Sequence, residues 1–533
     1  MQPSVASAAP VFWRATALRI ASNPLAWAGL LGLVALSAWS RDLVVDQAMM
    51  LNLAAQFLDG RVLYIDVPDA HLPATPIVFS VPVLLARATG LPPILGFNLF
   101  VSAATALCAL AGARLVAGRP APGLALLLTG IAFLAQNDPL FGQRDSLFHT
   151  VWLTYLAARL ALPRDAPRLE LAVGLAAGFL TAVKPHFLAY AIVDEALLLL
   201  WTRSLRHPAL IGAAVSGCSV VALLFAAFDW RAYIEIVQAA AAYYRIIGLP
   251  PATVLANMAQ SPSLRAVFWL IAACLAWWGW RRRMPRLAIL LLATALTTVP
   301  LILQQGQPRP YYYIGITLPA LMMGVIAAAE ALAGWTAPGG AVGAGRPAWR
   351  PLARPVRFGV ALIVGVAGLW VMWGRDVGLA GLAWQRLRTG HPVFLYGRTA
   401  ADPFIEDWRR RSRPGERYAV LDAQYGRVAF DPLVSAVRIG QPIYSRYNGV
   451  ELGLLFALVD GDAPREAAAC RGIAADLVFA DAAWLYVRRD VPGWAKPGDF
   501  DDQLHSVPEC AAAIDSRYAE ADRFDRYVVY RHR

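Results

Sequence analysis

Long apolar runs recur along the first 374 residues of this 533-residue chain, and they limit what it can fold into more than any other feature. A helix needs about 17–25 apolar residues to cross the hydrocarbon core of a membrane. Eleven runs approach or reach that length, at residues 24–40, 94–113, 121–137, 146–161, 169–183, 187–202, 209–228, 263–280, 286–303, 311–334 and 357–374. The sequence therefore predicts an α-helical polytopic membrane protein with about 11 spanning helices.

A further apolar stretch, residues 75–91, is interrupted by Pro76, Pro82 and Arg87. We expect it to form a helix that lies at the membrane interface instead of crossing the membrane. The composition agrees with a membrane protein, because 58% of the residues are hydrophobic and only 16% are charged. Globular domains average about 25% charged residues. The composition thus argues against a soluble enzyme and against a disordered chain.

The net charge of +12 lies entirely within residues 1–374, which carry 26 basic and 14 acidic residues. In a soluble protein such an excess would suggest nucleic acid, but here it follows the membrane topology. If residues 75–91 do not span, 17 of the 26 basic residues share one side. The positive-inside rule then places the N-terminus in the cytoplasm and residues 375–533 outside. No nucleic-acid partner is expected.

Two predicted parts follow from this topology. Residues 1–374 form a transmembrane module with a long first outer loop, 41–92, and residues 375–533 form an extracytoplasmic α/β domain. The tail contains strand-like runs at residues 418–421, 476–479, 484–487 and 527–530. The outer loop 229–262 has the pattern of an amphipathic interfacial helix.

Cys470 and Cys510 are the two cysteines of the predicted outer domain. Disulfides form and persist outside the cytosol, so we expect these two residues to pair. The alternative is a pair of buried free thiols.

The first outer loop has a distinctive order of residues. An acidic residue comes soon after the first apolar run, then a Gly-containing turn, then a Tyr and a segment with two spaced prolines: Asp46-Gln47, Leu58-Asp59-Gly60-Arg61-Val62-Leu63-Tyr64 and His71-Leu72-Pro73-Ala74-Thr75-Pro76. This order resembles the GT-C superfamily of integral-membrane glycosyltransferases, which includes protein O-mannosyltransferases and bacterial lipid A aminoarabinose transferases. The resemblance covers the layout of residues 10–330, and individual residues match around 42–76 and 137–149. The family usually has an acidic pair where this chain has Asp46 and Gln47.

The resemblance implies transfer of a sugar from a polyprenyl-phosphate donor to an acceptor glycan, lipid or protein. The transfer would take place on the outer face of a bacterial inner membrane, among membrane lipids. An inverting transfer needs a carboxylate that deprotonates the acceptor hydroxyl as the sugar–phosphate bond breaks. Asp46 matches that position, with Asp42 as an alternative. Asp46 could instead only cap the helix that follows it.

The second outer loop contains Gln143-Arg144-Asp145, where the resembled family carries another acidic residue. Asp145 matches it, with Asp138 as a competitor. Asp145 could orient the acceptor, or hold Mg²⁺ or Mn²⁺ together with Asp46, although a hard metal takes three or more oxygen ligands. Arg144 could contact the lipid phosphate. The simpler interpretation is an exposed helix start with an Asp near its positive end.

Lys184 is one of only two lysines, because 46 of the 48 basic residues are Arg. It matches a Lys-containing segment of the resembled families, and a compact ammonium retained at this place suits a phosphate. The alternative is a lysine that extends its charge to the membrane surface. Four more residues complete the predicted substrate- and phosphate-binding set: Gln143, His186, Arg309 and His71. Arg309 lies beside the cluster Tyr311–Tyr313, which could equally be an interfacial aromatic belt.

The sequence therefore predicts a polyprenyl-phosphate-dependent glycosyltransferase with Asp46 and Asp145 as its catalytic pair. A lipid-linked polysaccharide flippase or other transporter is the main alternative, and an O-antigen polymerase or ligase is another. Transporters often show repeated halves and place polar groups near the membrane midplane. Here the charged residues gather in the predicted outer loops, and the sequence shows no convincing repeat.

Overall fold

The structure is a computed structural model, and it describes residues 24–41, 43, 45–67, 69–116, 125–126, 128–130, 141–160, 166–306, 310–336, 387–388, 403–413, 416–421, 463–489, 499–524 and 527–533. The chain divides into two compact units. Unit 1 comprises Met1–Ser40, Leu99–Ala222 and Ala241–Trp384. Unit 2 comprises Arg41–Asn98, Leu223–Ala240 and Gln385–Arg533.

The segment up to residue 336 is helical. Its helices are α1 Pro24–Ser40, α2 Val45–Leu58, α3 Ala74–Thr89, α4 Pro93–Leu115, α5 Arg144–Leu160, α6 Pro167–Thr181, α7 Leu188–Thr202, α8 Pro208–Ala227, α9 Trp230–Ile247, α10 Pro251–Gln260, α11 Pro262–Trp280, α12 Arg286–Gln305 and α13 Ile314–Thr336. Short 3-10 turns, Pro185–Phe187 and Pro310–Tyr313, precede α7 and α13.

Among the described residues, five helices are long and apolar enough to cross a membrane: α4, α8, α11, α12 and Tyr311–Ala331. Four more predicted spans are helices of only 15–17 residues, namely α1, α5, α6 and α7. The predicted span 357–374 and most of 121–137 lie outside the described residues. The structure is thus a mostly helical membrane protein, and the count of about 11 spans stays a prediction.

Helices α6 and α8 of unit 1 pack backbone against backbone. A Cβ atom added at Gly174 would lie 2.0 Å from the carbonyl oxygen of Ala209, and one at Gly178 would lie 2.0 Å from that of Ala213. This is small-residue spacing, in which residues four apart let two membrane helices approach closely. Any side chain at either glycine would push the two helices apart.

The first loop of unit 2 runs through α2 and a tight turn into α3. Leu63 and Val67 form an isolated bridge in the turn, and Tyr64 between them has a positive φ of 71°. The Tyr64 ring packs against Phe228 and Tyr233 at centroid distances of 5.9 and 5.1 Å. Tyr233 lies on α9, so the structure has a helix within the loop 229–262, as predicted. Within unit 2, the Tyr233 ring of this helix packs against Tyr64 of the first loop.

The tail of unit 2 contains a four-stranded sheet of β1 Tyr418–Leu421, β2 Trp484–Arg488, β3 Tyr518–Phe524 and β4 Tyr527–His532 in the order β1-β2-β4-β3. Strands β1 and β2 are parallel and the other pairs antiparallel. Its helices are α14 Pro403–Arg411, α15 Ala463–Ala480, α16 Phe500–Ser506 and α17 Pro508–Asp515.

Three of the four predicted strands are confirmed, as β1, β2 and β4. The prediction of a strand at 476–479 is wrong, because those residues belong to α15. Ile473, Leu477 and Ala480 are spaced three and four apart and lie together in the core, which is the pattern of a helix face. Strand β3 was missed because only Tyr518 among its residues is buried, so its sequence shows no apolar alternation.

Cys470 on α15 and Cys510 on α17 form a disulfide in the core of the tail. The bond joins residues separated by 40 positions, and constraining a loop of that length stabilises a fold by about 4 kcal/mol in the chain-entropy estimate. We expect neither cysteine to react with a thiol reagent in denatured, unreduced protein, and both to react after reduction. Cys218 is a free cysteine and serves as the internal control. Labelling of Cys470 before reduction would refute the bond.

Candidate functional site

Lys184 and Asp145 form a buried ion pair in unit 1. The Nζ atom of Lys184 lies 2.5 Å from Oδ2 of Asp145, and their side chains are only 7% and 5% exposed. Lys184 follows the end of α6 in an extended conformation, which is the backbone geometry favoured before a proline such as Pro185. Asp145 lies in the first turn of α5, where the helix dipole favours a negative charge.

The surroundings of Asp145 keep its carboxyl ionised. Burial alone would raise the pKa of Asp145, but the ammonium of Lys184, which also donates a hydrogen bond to it, and the guanidinium of Arg144 hold that pKa below its ordinary value. Arg144 is itself buried beside it. Two cations and one anion therefore leave a net positive charge at this place, which suits an anionic ligand.

Aromatic rings surround the ammonium of Lys184. Its Nζ atom lies 5.2 Å from the ring centroid of Tyr312 and 5.7 Å from those of Tyr311 and Phe187. Ring faces attract a cation at such distances. Two members of the Tyr cluster beside Arg309, Tyr311 and Tyr312, thus lie around Lys184. Arg309 itself lies outside the described residues.

His186 is a neutral neighbour of this ion pair. Burial, together with the positive charge of Lys184, lowers the pKa of its imidazole to about 3. The side-chain nitrogen of Gln305 lies 3.3 Å from its Nε2 atom. His186 can therefore take part in hydrogen bonds but adds no charge for a phosphate.

His149 is a residue of this site that the sequence analysis missed. It lies one turn after Asp145 on α5, and its Nδ1 donates a hydrogen bond of 2.7 Å to the Asp145 carbonyl oxygen. Gly315 makes room for the ring, since an added Cβ would lie 2.7 Å from His149 Nε2 and 2.4 Å from Thr298 Oγ1. The four-residue spacing from Asp145 was the signal in the sequence, because such residues share a helix face.

Unit 2 holds two of the predicted site residues. Asp46 lies buried in the first turn of α2. His71 is fixed by Asp69, which the sequence analysis did not single out: Oδ1 of Asp69 accepts hydrogen bonds from the Nδ1 and the backbone nitrogen of His71. Tyr64 donates a hydrogen bond of 2.8 Å to the His71 carbonyl oxygen.

The structure therefore gathers Arg144, Asp145, Lys184 and His186 in unit 1, with Gln143 buried just before Arg144. Asp46 and His71 belong to unit 2. Asp42, Asp138 and Arg309 lie outside the described residues.

A divalent metal does not fit the surroundings of Asp145. A hard cation takes several oxygen ligands, whereas the Asp145 carboxylate faces the cations Lys184 and Arg144. In the parts of the chain that the structure describes, no group of three or more His, Cys, Asp or Glu residues could hold a metal ion.

Solved structures give a similarity that protein families and curated proteins do not. No protein-family model and no curated protein matches the chain. Among solved structures, the chain is similar to ArnT from Cupriavidus metallidurans in the apo state, with a TM-score of 0.44 and 15% sequence identity. The match covers 99% of this chain and 98% of that chain.

Proposed function

We propose that this chain is an integral-membrane glycosyltransferase that moves a sugar from a polyprenyl-phosphate donor to an acceptor on the outer face of the membrane. The observation that carries the proposal is the buried Lys184–Asp145 pair with Arg144 beside it. Burying a charge pair costs desolvation free energy. This buried pair, with Arg144, leaves a net positive charge among aromatic rings.

The proposed reaction is an inverting transfer. The acceptor hydroxyl oxygen attacks the anomeric carbon, the bond from that carbon to the phosphate oxygen breaks, and the electron pair leaves with the lipid phosphate. Asp46 takes the proton of the acceptor hydroxyl. Lys184 and Arg144, with Arg309 from the same predicted outer side, stabilise the negative charge of the leaving phosphate.

Asp145 has a supporting role in this scheme. Its carboxylate is ionised and engaged with Lys184, so we assign it the positioning of the ammonium before the donor binds. Such preorganisation is effective because the charge need not reorient as the phosphate leaves. The aromatic rings of Tyr311, Tyr312 and Phe187 limit the motion of the ammonium further.

An assay of the purified full chain tests the proposal. Protein in lipid vesicles is incubated with radiolabelled polyprenyl-monophosphate sugars and candidate acceptors from the cell envelope. We expect release of the polyprenyl phosphate and appearance of the label on an acceptor. Absence of turnover with every monophosphate donor would overturn the proposal.

A transporter is the second candidate, because the structure places charged residues between helices. Asp194, Glu195 and Arg159 all lie inside unit 1, away from the predicted outer loops. Ionisable residues within membrane bundles often mark transport pathways. The same vesicles separate the two functions: a flippase moves the intact labelled lipid to the opposite leaflet, whereas a transferase cleaves its sugar–phosphate bond.

A further inference from the structure

A carboxylate lies completely buried among three helices of unit 1. Asp194 on α7 is 0% exposed. Its Oδ2 atom accepts a hydrogen bond of 2.8 Å from Trp152 Nε1 on α5 and one of 2.9 Å from Thr294 Oγ1 on α12. Its Oδ1 atom is also buried, and it has no hydrogen-bond partner among the described residues.

The neighbouring acidic residue already has its counter-charge. Glu195 accepts hydrogen bonds of 2.8 and 2.7 Å from the Nε and Nη2 atoms of Arg159. Tyr155 donates a further one of 2.5 Å to the same carboxylate. This bidentate geometry commits the Arg159 charge to Glu195, so Arg159 does not neutralise Asp194.

Within the described parts of the chain, the other groups that act on Asp194 carry no positive charge. Trp152 and Thr294 are neutral donors, and the Tyr190 hydroxyl is engaged with Thr298 at 3.0 Å. Glu195 is the neighbouring charge that acts on Asp194, and it has the same sign. An ionised Asp194 would therefore be an uncompensated anion in a low-dielectric interior, which is expensive.

We propose that Asp194 is a proton-binding site and is present as a neutral carboxylic acid between α5, α7 and α12. The proton lies on the buried carboxyl group itself, where Trp152 and Thr294 contact Oδ2. A metal cation is the less suitable occupant, since the indole N–H and the threonine O–H both direct hydrogen atoms at the carboxylate. The inference does not depend on the proposed glycosyltransferase activity.

Loss of this proton has a physical consequence for the bundle. Release would place a second negative charge beside Glu195 and remove the electrical neutrality of the buried cluster. Ionisation would also be opposed by the fold, so stability falls as the pH rises through the titration of Asp194. Asp194 thus makes the packing of three helices sensitive to proton concentration.

Infrared spectroscopy of the full chain tests the proposal directly. At neutral pH, the wild-type spectrum is expected to contain the C=O stretching band of a protonated carboxyl group in an apolar environment. Asp194→Asn should remove that band. Asp59→Asn is the matched control, because Asp59 is partly exposed and paired with Arg87, and it should leave the band unchanged. A wild-type spectrum without such a band, or a band that persists in Asp194→Asn, would overturn the proposal.

Thermal unfolding gives a second measurement. Asp194→Asn keeps an oxygen acceptor for Trp152 and Thr294 and is neutral at every pH. Its stability should therefore lose the part of the wild type's decline that comes as the pH rises from the ordinary titration range of a carboxyl group towards neutral. A wild type stabilised by sodium chloride but not by choline chloride, with no protonated-carboxyl band, would show a metal cation in place of the proton and would refute the inference.

Discussion

Replacing Lys184 by methionine is expected to destabilise unit 1 by about 3–5 kcal/mol, the usual cost of removing one partner of a buried ion pair. The ammonium is 2.5 Å from Asp145 and both side chains are nearly inaccessible. Its removal leaves the Asp145 carboxylate buried, with only the charge of Arg144 to compensate it among the described cations that act on it. Thermal unfolding of the purified variant in detergent measures the loss.

The double variant Lys184→Met with Asp145→Asn is the control for this prediction. It removes both charges, so much of the lost stability should return. If the single and the double variants unfold alike, the two residues are not coupled, and the pair cannot organise the site as proposed. Both variants should lose transferase activity, because neither has the ammonium.

Lys184→Arg separates charge from shape at the same position. A guanidinium keeps the positive charge, but it is planar and larger than the ammonium enclosed by Tyr311, Tyr312 and Phe187. We expect a folded protein whose kcat/KM is reduced about 10–100-fold, as for one impaired hydrogen bond to a charged group. Undiminished activity would show that the site needs only a positive charge and would refute the point-charge role of Lys184.

Local patterns predicted much of the fold. Apolar runs located α4, α8, α11 and α12 to within a few residues, because continuous hydrophobicity is a local signal. The tail was harder, since its strands and helices are short. Residues 476–479 have strand-like composition. Only the spacing of Leu477 from Ile473 and Ala480 shows that it continues the buried face of α15.

The candidate site shows the same limit. The scarcity of lysine singled out Lys184, and the acidic residue that the resembled superfamily carries in its second outer loop singled out Asp145. Their direct contact, however, joins residues 39 positions apart. The surroundings of Asp194 and Gly315 are also formed by tertiary contacts. Asp194 is hydrogen-bonded to Trp152 and Thr294 on other helices. Gly315 faces His149 and Thr298, which leave no room for a Cβ atom.

Asp46→Asn is expected to lower kcat by about 10²–10⁴-fold, which is the usual contribution of a positioned general base. Asn is close to Asp in shape and is equally acceptable near a helix start, so the variant should fold. The donor should bind with nearly unchanged KM, because the proposed phosphate ligands Lys184 and Arg144 are intact. The measurement is steady-state transfer of a labelled sugar by protein in vesicles.

Asp59→Asn provides the comparison within the same loop region. Asp59 lies beyond the end of α2 and pairs with Arg87 at 2.9 Å with both side chains partly exposed. Such pairs contribute at most about 1 kcal/mol, so this variant should retain both fold and activity. Equal kcat values for the wild type, Asp46→Asn and Asp59→Asn would exclude Asp46 as the base, because the two variants make the same Asp-to-Asn change at different positions of this region.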